Sequence, residues 1–399
     1  MKLRITALLL ALVFALGILA SCATTDSVAS PSADVSADVS GTPGGAGTSP
    51  TPGGDSQTPV VPQTPEPPRT EDYPYTDSAG RSVVIPANLT KVSPSGALAE
   101  IFLMAIAPDL LVSIPTGKSD AQLKYLPANV KDLTAVGQFY GSGDLNIETV
   151  AAIGTQLIID VGEPKASIVE DMDDITATSG VPAVHITGYL YPKNGEQNVA
   201  DAYRELGKIL NREARAEQLA QYIEKILAQT DGVLAQVGDN KVKTLYLLGD
   251  LGTNVLGNGS FHAEVIDKLT DNVAVLEKVA GSGAGNESDI EQITAWNPDF
   301  IIFAPSSYFS GAASDPAWAG VTAITGGKYI ETPQYPYNWM GSPPSVQRVL
   351  GLILLPAVLY PQYATYDVYD EVREYYALFY GYDLSQADFD ALTANSFTK

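Results

Sequence analysis

The chain has 399 residues, with 23 basic and 46 acidic side chains and a formal charge of −23. That length allows two domains, and the acidic balance argues against nucleic acid, whose phosphates need a basic face. One cysteine, Cys22, excludes an intramolecular disulfide, and with only two histidines, His185 and His262, no metal site of three or four His/Cys ligands is available.

Residues 1–21 read as a signal peptide: Lys2 and Arg4, then an apolar stretch over 5–19, then small residues. Leu19-Ala20-Ser21-Cys22 resembles a bacterial lipobox, which implies lipid on Cys22 and a location outside the cytoplasm at the membrane. Residues 22–70 read as a disordered tether. Nine of the chain's 27 prolines lie in 31–70 among Gly, Ser and Thr, too few apolar groups to offset the entropy of ordering.

The body follows. Strands are expected at Val83–Ile85, Lys91–Ser93 and Leu110–Ile114, with an apolar helix at Ala97–Ala107. Residues 146–160 and 289–303 then repeat one pattern at a spacing of 143 residues. Each copy has an N-cap residue (Asn146, Asp289), then Ile and Glu (Glu148, Glu291), a short helix and a β-branched strand. A helix near Ala166–Ser179 and a strand at Val181–Ile186 complete a strand–helix alternation that predicts a parallel sheet.

Apolar residues at helical spacing predict two helices over 195–237, broken at Asn211. The second runs for about 25 residues between the two copies of the repeat. Thr244–Leu248 starts a second α/β unit, followed by a Gly/Asn loop and a helix over Phe261–Leu269. From Val346 onward the chain reads as helical, its tyrosines at Tyr366, Tyr369, Tyr375, Tyr376 and Tyr380 serving packing. The expected divisions are 71–211 for the first lobe, 212–237 for the linking helix, 238–345 for the second lobe and 346–399 for the C-terminal helices.

No catalytic signature is present. Thr116-Gly117-Lys118-Ser119 lacks the glycine that a phosphate loop needs, since position 112 is Val112. No Gly-x-Ser-x-Gly elbow exists, and no carboxylate pair is singled out. No cofactor, resident metal or catalytic residue is expected, and a surface-anchored hydrolase is the weaker alternative.

Ligands of open α/β sheets bind at loops leaving the strands. Those loops carry Ser95 and Gly96; Gln138, Phe139 and Tyr140; Tyr189 and Tyr191; Asn258, Ser260 and His262; Ser306, Ser307 and Tyr308; and Tyr337 and Trp339. Aromatics with polar edges suit a bulky ligand.

Thr76-Asp77-x-x-Gly80-Arg81, Asn146-x-Glu148, Gly259-Ser260-Phe261-His262, Glu291-Gln292-Ile293, Asn297-Pro298-Asp299 and Ser342-Pro343-Pro344-Ser345-x-x-Arg348 occur in order. In these the chain resembles the substrate-binding lipoproteins of ABC importers for iron complexes and vitamin B12. Gly154-Thr155-Gln156 departs from the family's usual Pro-Asp. The resemblance implies an α/β fold of two Rossmann-like lobes with mainly parallel sheets, joined by one long α-helix and followed by C-terminal helices. It implies a monomer that hands a small-molecule metal complex to an ABC permease dimer driven by a cytoplasmic ATPase. Glu148 and Glu291 would dock to that permease. The chain has only eight arginines, with none between Arg81 and Arg204. That tilts the expected ligand from polyanionic ferric catecholates toward ferric hydroxamates, a corrinoid (cobalamin) or haem. Molybdate or tungstate, held by backbone N–H groups, is a further alternative.

Overall fold

A computed structural model describes Pro67, residues 69–192 and residues 195–398. The signal peptide, Cys22 and most of the tether lie outside the described residues.

The body opens on an antiparallel hairpin, β1 (Tyr73–Thr76) with β2 (Ser82–Ile85). Asp77 closes its turn: one carboxylate oxygen accepts from the backbone N–H of Ala79 and of Arg81, at 3.1 and 2.8 Å. The first lobe then runs β3 (Val92–Pro94), α1 (Ala97–Ile106), β4 (Ser113–Ile114), α2 (Asp120–Leu123), β5 (Thr134–Ala135), α3 (Ile147–Ala152), β6 (Leu157–Gly162), α4 (Ile168–Ser179) and β7 (Ala183–Thr187). Its sheet has the order β3-β6-β7, all parallel, with a further parallel bridge from Val92 to Leu111. Every residue of β6 is buried. A central parallel strand is covered on both faces, so it reads as a continuous apolar run rather than an alternation.

The expected strand over 110–114 is shorter than its sequence suggests. Only the Leu111 bridge and β4 form, and Pro115, which has no N–H to give to a ladder, follows at once.

Next come α5 (Val199–Leu210) and α6 (Glu213–Val237), separated by Asn211 in the left-handed conformation (φ 56°). The 25 residues of α6 span about 37 Å. Its buried side chains, from Ala216 through Leu219, Ile223 and Ile226 to Val233, recur every three or four residues. Arg204 on α5 pairs with Glu217 and Glu224 on α6 at 2.9 and 2.7 Å.

The second lobe contains β8 (Lys243–Leu248), β9 (Asn254–Val255), α7 (Glu264–Leu269), β10 (Asp271–Asn272), α8 (Ile290–Trp296), β11 (Phe300–Phe303), α9 (Phe309–Ala312), α10 (Thr322–Thr325) and β12 (Tyr329–Glu331). Its order is β10-β8-β11-β12, parallel throughout, with β9 antiparallel on β8. The expected helix over 261–269 begins as a 3-10 turn, Phe261–Ala263, capped by the Ser260 hydroxyl. Three helices close the chain: α11 (Arg348–Leu359), α12 (Val368–Tyr375) and α13 (Gln386–Leu392). A π-helical turn, Tyr376–Tyr380, extends α12. Tyr375, Tyr376 and Tyr380 are buried and pack ring on ring, Tyr375 stacking on Phe379 at 4.1 Å. The architecture is therefore two α/β lobes with mainly parallel sheets, linked by α6 and followed by C-terminal helices.

Candidate ligand-binding site

Many of the expected contacts lie in loops that leave the strands of the two sheets. In the first lobe β3 delivers Ser95, whose buried hydroxyl donates to Asp160 at the end of β6. Asp160 also holds His185 Nδ1 at 2.6 Å, and His185 Nε2 lies 3.3 Å from the Thr187 hydroxyl. A buried carboxylate shared by a hydroxyl and an imidazole is satisfied, and it fixes three strand ends relative to one another. Ser95 does not point at the imidazole, so this is no nucleophile–base pair. Gly96 caps α1, and a Cβ there would sit 3.4 Å from Gln138 Cβ. Phe139 and Tyr140 pack edge to face at 5.0 Å, and the Tyr140 hydroxyl donates to Asp171 at 2.6 Å. Burial, reinforced by Asp171, pushes the Tyr140 phenol up.

Two ion pairs are buried, one joining α11 to the second lobe and one within the first lobe. Arg348, fully buried at the start of α11, donates to Glu264 Oε2 at 2.6 Å and to the Phe261 carbonyl at 2.8 Å. Glu264 also accepts from the backbone N–H groups of Leu190 and Tyr191, at 3.2 and 3.1 Å. Tyr189 packs edge on to Phe261 at 5.6 Å, and Lys268 lies 4.2 Å over the Tyr191 ring. Elsewhere Lys118 approaches Glu100 to 2.8 Å, with both side chains buried, and sits 5.5 Å over the Tyr337 ring. Burial raises the Glu100 carboxyl, and Lys118 opposes that shift.

A cavity of about 480 Å³ opens beside these contacts. Its floor is the loops leaving β8 (Gly249, Asp250) and β11 (Ala304, Ser306, Ser307). Its walls are Asn254, Gly283, Gln334, Tyr337, Asn338 and Ser342, with Gln122 contributed by the first lobe. Among the described lining residues Asp250 alone carries a charge. Tyr337, Ser306 and Ser307 were legible as candidates. The amides Gln122, Asn254, Gln334 and Asn338 were not, because scattered neutral amides leave no pattern in a sequence.

The other expected contacts fall at varied distances from this cavity. His262 stands behind Gly283, which a Cβ would bring within 3.0 Å of the imidazole. Its Nδ1 meets the Gly341 carbonyl at 2.7 Å, and burial lowers its pKa. A carbonyl only accepts, so Nδ1 carries a proton there. Gly341 is required there, since a Cβ would come within 2.1 Å of the His262 carbonyl oxygen. Ser260 is spent on its cap, and Asn258 donates to the Asn272 carbonyl. Tyr308 turns away to stack on Trp318 at 6.1 Å and donates to Asp315. Trp339 is fully buried, with its indole N–H toward the Tyr335 carbonyl.

This geometry matches known proteins. The family described as periplasmic binding protein matches residues 92–336. The chain belongs to that family. Among solved structures, a solute-binding protein of an ABC transporter from Sulfurospirillum deleyianum is similar at 24% identity and TM-score 0.73, over 80% of this chain and 99% of that one. A periplasmic solute-binding protein from Veillonella parvula aligns at 20% identity and TM-score 0.64, over 82% and 98%. The molybdate-bound binding protein MolA of Haemophilus influenzae aligns at 19% and 0.58, over 79% and 99%. No curated protein matches. By family the chain is a periplasmic binding protein, and the solved structures it resembles are solute-binding proteins, one of them of an ABC transporter.

Within this periplasmic binding protein, Glu148 and Glu291 occupy equivalent places. Both lie in the first turn of a short helix whose N-cap side chain accepts from the third residue's N–H: Asn146 from Thr149 at 2.9 Å, Asp289 from Gln292 at 2.7 Å. Both glutamates are exposed, and neither makes an ion pair among the described residues.

Proposed function

We propose that this protein captures an uncharged or cationic metal chelate, an iron hydroxamate being the best case, and delivers it to an ABC importer. The observation that carries this reading is the lining of the larger cavity: amides, hydroxyls and Tyr337, with Asp250 as the one charged residue among those described. Nearby cations are already paired, Arg348 with Glu264, Lys118 with Glu100 and Lys165 with Glu163. A ferric catecholate would bring several negative charges to a cavity that no cation lines among the described residues. A bare oxyanion would meet Asp250 and leave most of the space unfilled, because the volume corresponds to about sixteen waters. Molybdate, which the Haemophilus relative binds, is therefore the weaker candidate here. Lipid on Cys22 would hold the protein at the outer face of the cytoplasmic membrane, and Glu148 and Glu291 would meet the permease.

Trp339 lies near Tyr337 in sequence and is buried beside the site, so its fluorescence is a suitable reporter. Titration with a ferric hydroxamate, a ferric catecholate, cobalamin, haem and molybdate tests the proposal. The hydroxamate is expected to bind at least about a hundredfold more tightly than the catecholate. Tighter binding of the catecholate or of molybdate would overturn it.

A further inference from the structure

A second cavity, of about 450 Å³, adjoins the first. The two share Pro305, Ser306 and Gln334. Gln334 and Ser306 are both exposed. Helix α2 borders both spaces, with Gln122 on the first and Ala121 on the second, while Lys124 and Tyr125 follow on the second side. Together the two fall within the roughly 300–1,000 Å³ typical of small-molecule pockets.

The second space has its own charge balance. Lys124 is held by Asp388 at 2.6 Å, which neutralises it. Glu331 is held only by neutral donors, the Ser306 backbone N–H at 3.0 Å and the Asn395 amide at 2.9 Å, and makes no ion pair among the described residues. The rings of Tyr125 and Tyr335 also line it. A carboxylate lacking a counter-ion beside tyrosine rings is an environment for a cation.

We infer that the ligand site continues past Ser306 and Gln334 into this second cavity, and that the ligand is an extended chelate whose cationic arm ends near Glu331. The inference rests on the chelate reading above and adds the length and charge of the ligand. The metal-bearing head occupies the amide-lined cavity. The arm passes Gln334, whose exposed side chain swings aside at little cost.

Three probes test it on the full chain: the ferric complex of a linear trishydroxamate with a free terminal amine, the same complex with that amine acetylated, and ferric tris(acetohydroxamate), which has no arm. Ala394 is exposed and lines the second cavity, so Ala394→Trp fills the space without disturbing the core. That variant is expected to weaken both armed complexes by about tenfold or more and to leave the armless one unchanged. Glu331→Gln is expected to weaken the amine complex about three- to tenfold relative to the acetylated one. If Ala394→Trp acts equally on all three, or on none, the second cavity is not part of the site and the inference falls while the chelate reading stands. If the wild-type protein binds none of the three, the chelate reading itself falls, and this inference falls with it.

Discussion

Glu264→Ala is the substitution that most directly tests how the lobes are held. Glu264 is the carboxylate paired with the fully buried Arg348, at 2.6 Å, and the acceptor for two N–H groups of the first lobe. Removing one partner of a buried ion pair leaves the other charge uncompensated, which costs about 3–5 kcal/mol. The two orphaned amides add about 1 kcal/mol each at the low end of the range for buried unsatisfied donors. The expected loss is therefore about 5–7 kcal/mol. For roughly 330 described residues, the unfolding entropy is about 0.7 kcal/mol per kelvin, so Tm should fall by about 7–10 °C.

The reverse substitution is not equivalent. Arg348→Met leaves Glu264 with its two backbone donors, and its side chain keeps 12% exposure to water. Its cost should be about 2 kcal/mol. Adding Arg348→Met to Glu264→Ala removes the stranded guanidinium, so the double variant should be more stable than Glu264→Ala alone, by about 2–4 kcal/mol. Thermal unfolding followed by circular dichroism on the four proteins measures this. A double variant less stable than Glu264→Ala would refute the argument, because it would show that Arg348 is not a stranded charge.

Glu148→Ala with Glu291→Ala should leave ligand affinity unchanged and abolish uptake in cells; normal transport would remove the docking assignment. Gly341→Ala would drive a methyl group into the His262 carbonyl, and a loss above about 4 kcal/mol is expected, seen as a collapsed Tm; wild-type melting would contradict the close approach. Burial, with the cations Arg348 and Lys165, depresses the His262 pKa. The unfolded chain thus takes up a proton near pH 6.5 that the folded protein refuses. Stability should accordingly fall as pH drops below about 6.5 toward the folded value, and the slope should vanish in His262→Gln; an unchanged slope in that variant would place its origin elsewhere.

Much of the scaffold was legible because it depends on local pattern. Asn146 and Asp289 cap the helices that their spacing predicts, and the apolar runs after them form the central strands. Asn211 breaks the two helices where expected, because asparagine tolerates a left-handed backbone. The buried ion pairs were not legible. Glu264 and Arg348 are 84 residues apart, and Glu100 sits in an otherwise apolar helix whose partner is 18 residues on. Which carboxylates are buried is decided by tertiary packing, and a sequence does not show it. The aromatics were ambiguous for the same reason. Tyr337 and Trp339 share one proline-rich loop, yet one lines the cavity and the other is enclosed.

The repeated segment shows where symmetry ends and ligand recognition begins. In both copies a left-handed residue follows the helix, Gly154 at φ 80° and Asn297 at φ 46°. In both, the residue before the strand donates its N–H to a lysine carbonyl at 2.9 Å, Gln156 to Lys91 and Asp299 to Lys243. In both, the strand lies between two parallel neighbours. The departure at Gly154-Thr155-Gln156 therefore keeps the backbone of its counterpart. The copies diverge at corresponding strand positions. Asp160 gathers Ser95 and His185 into a closed polar network, whereas Phe303 packs among Phe309, Trp318 and Tyr329. The first lobe's strand ends are thus tied to each other by side chains. The second lobe buries its strand's last side chain and leaves the loop beyond, at Ser306 and Ser307, to line the cavity. A permease that meets one glutamate per lobe would see a symmetric pair, while a ligand in the larger cavity would lie mainly against one lobe.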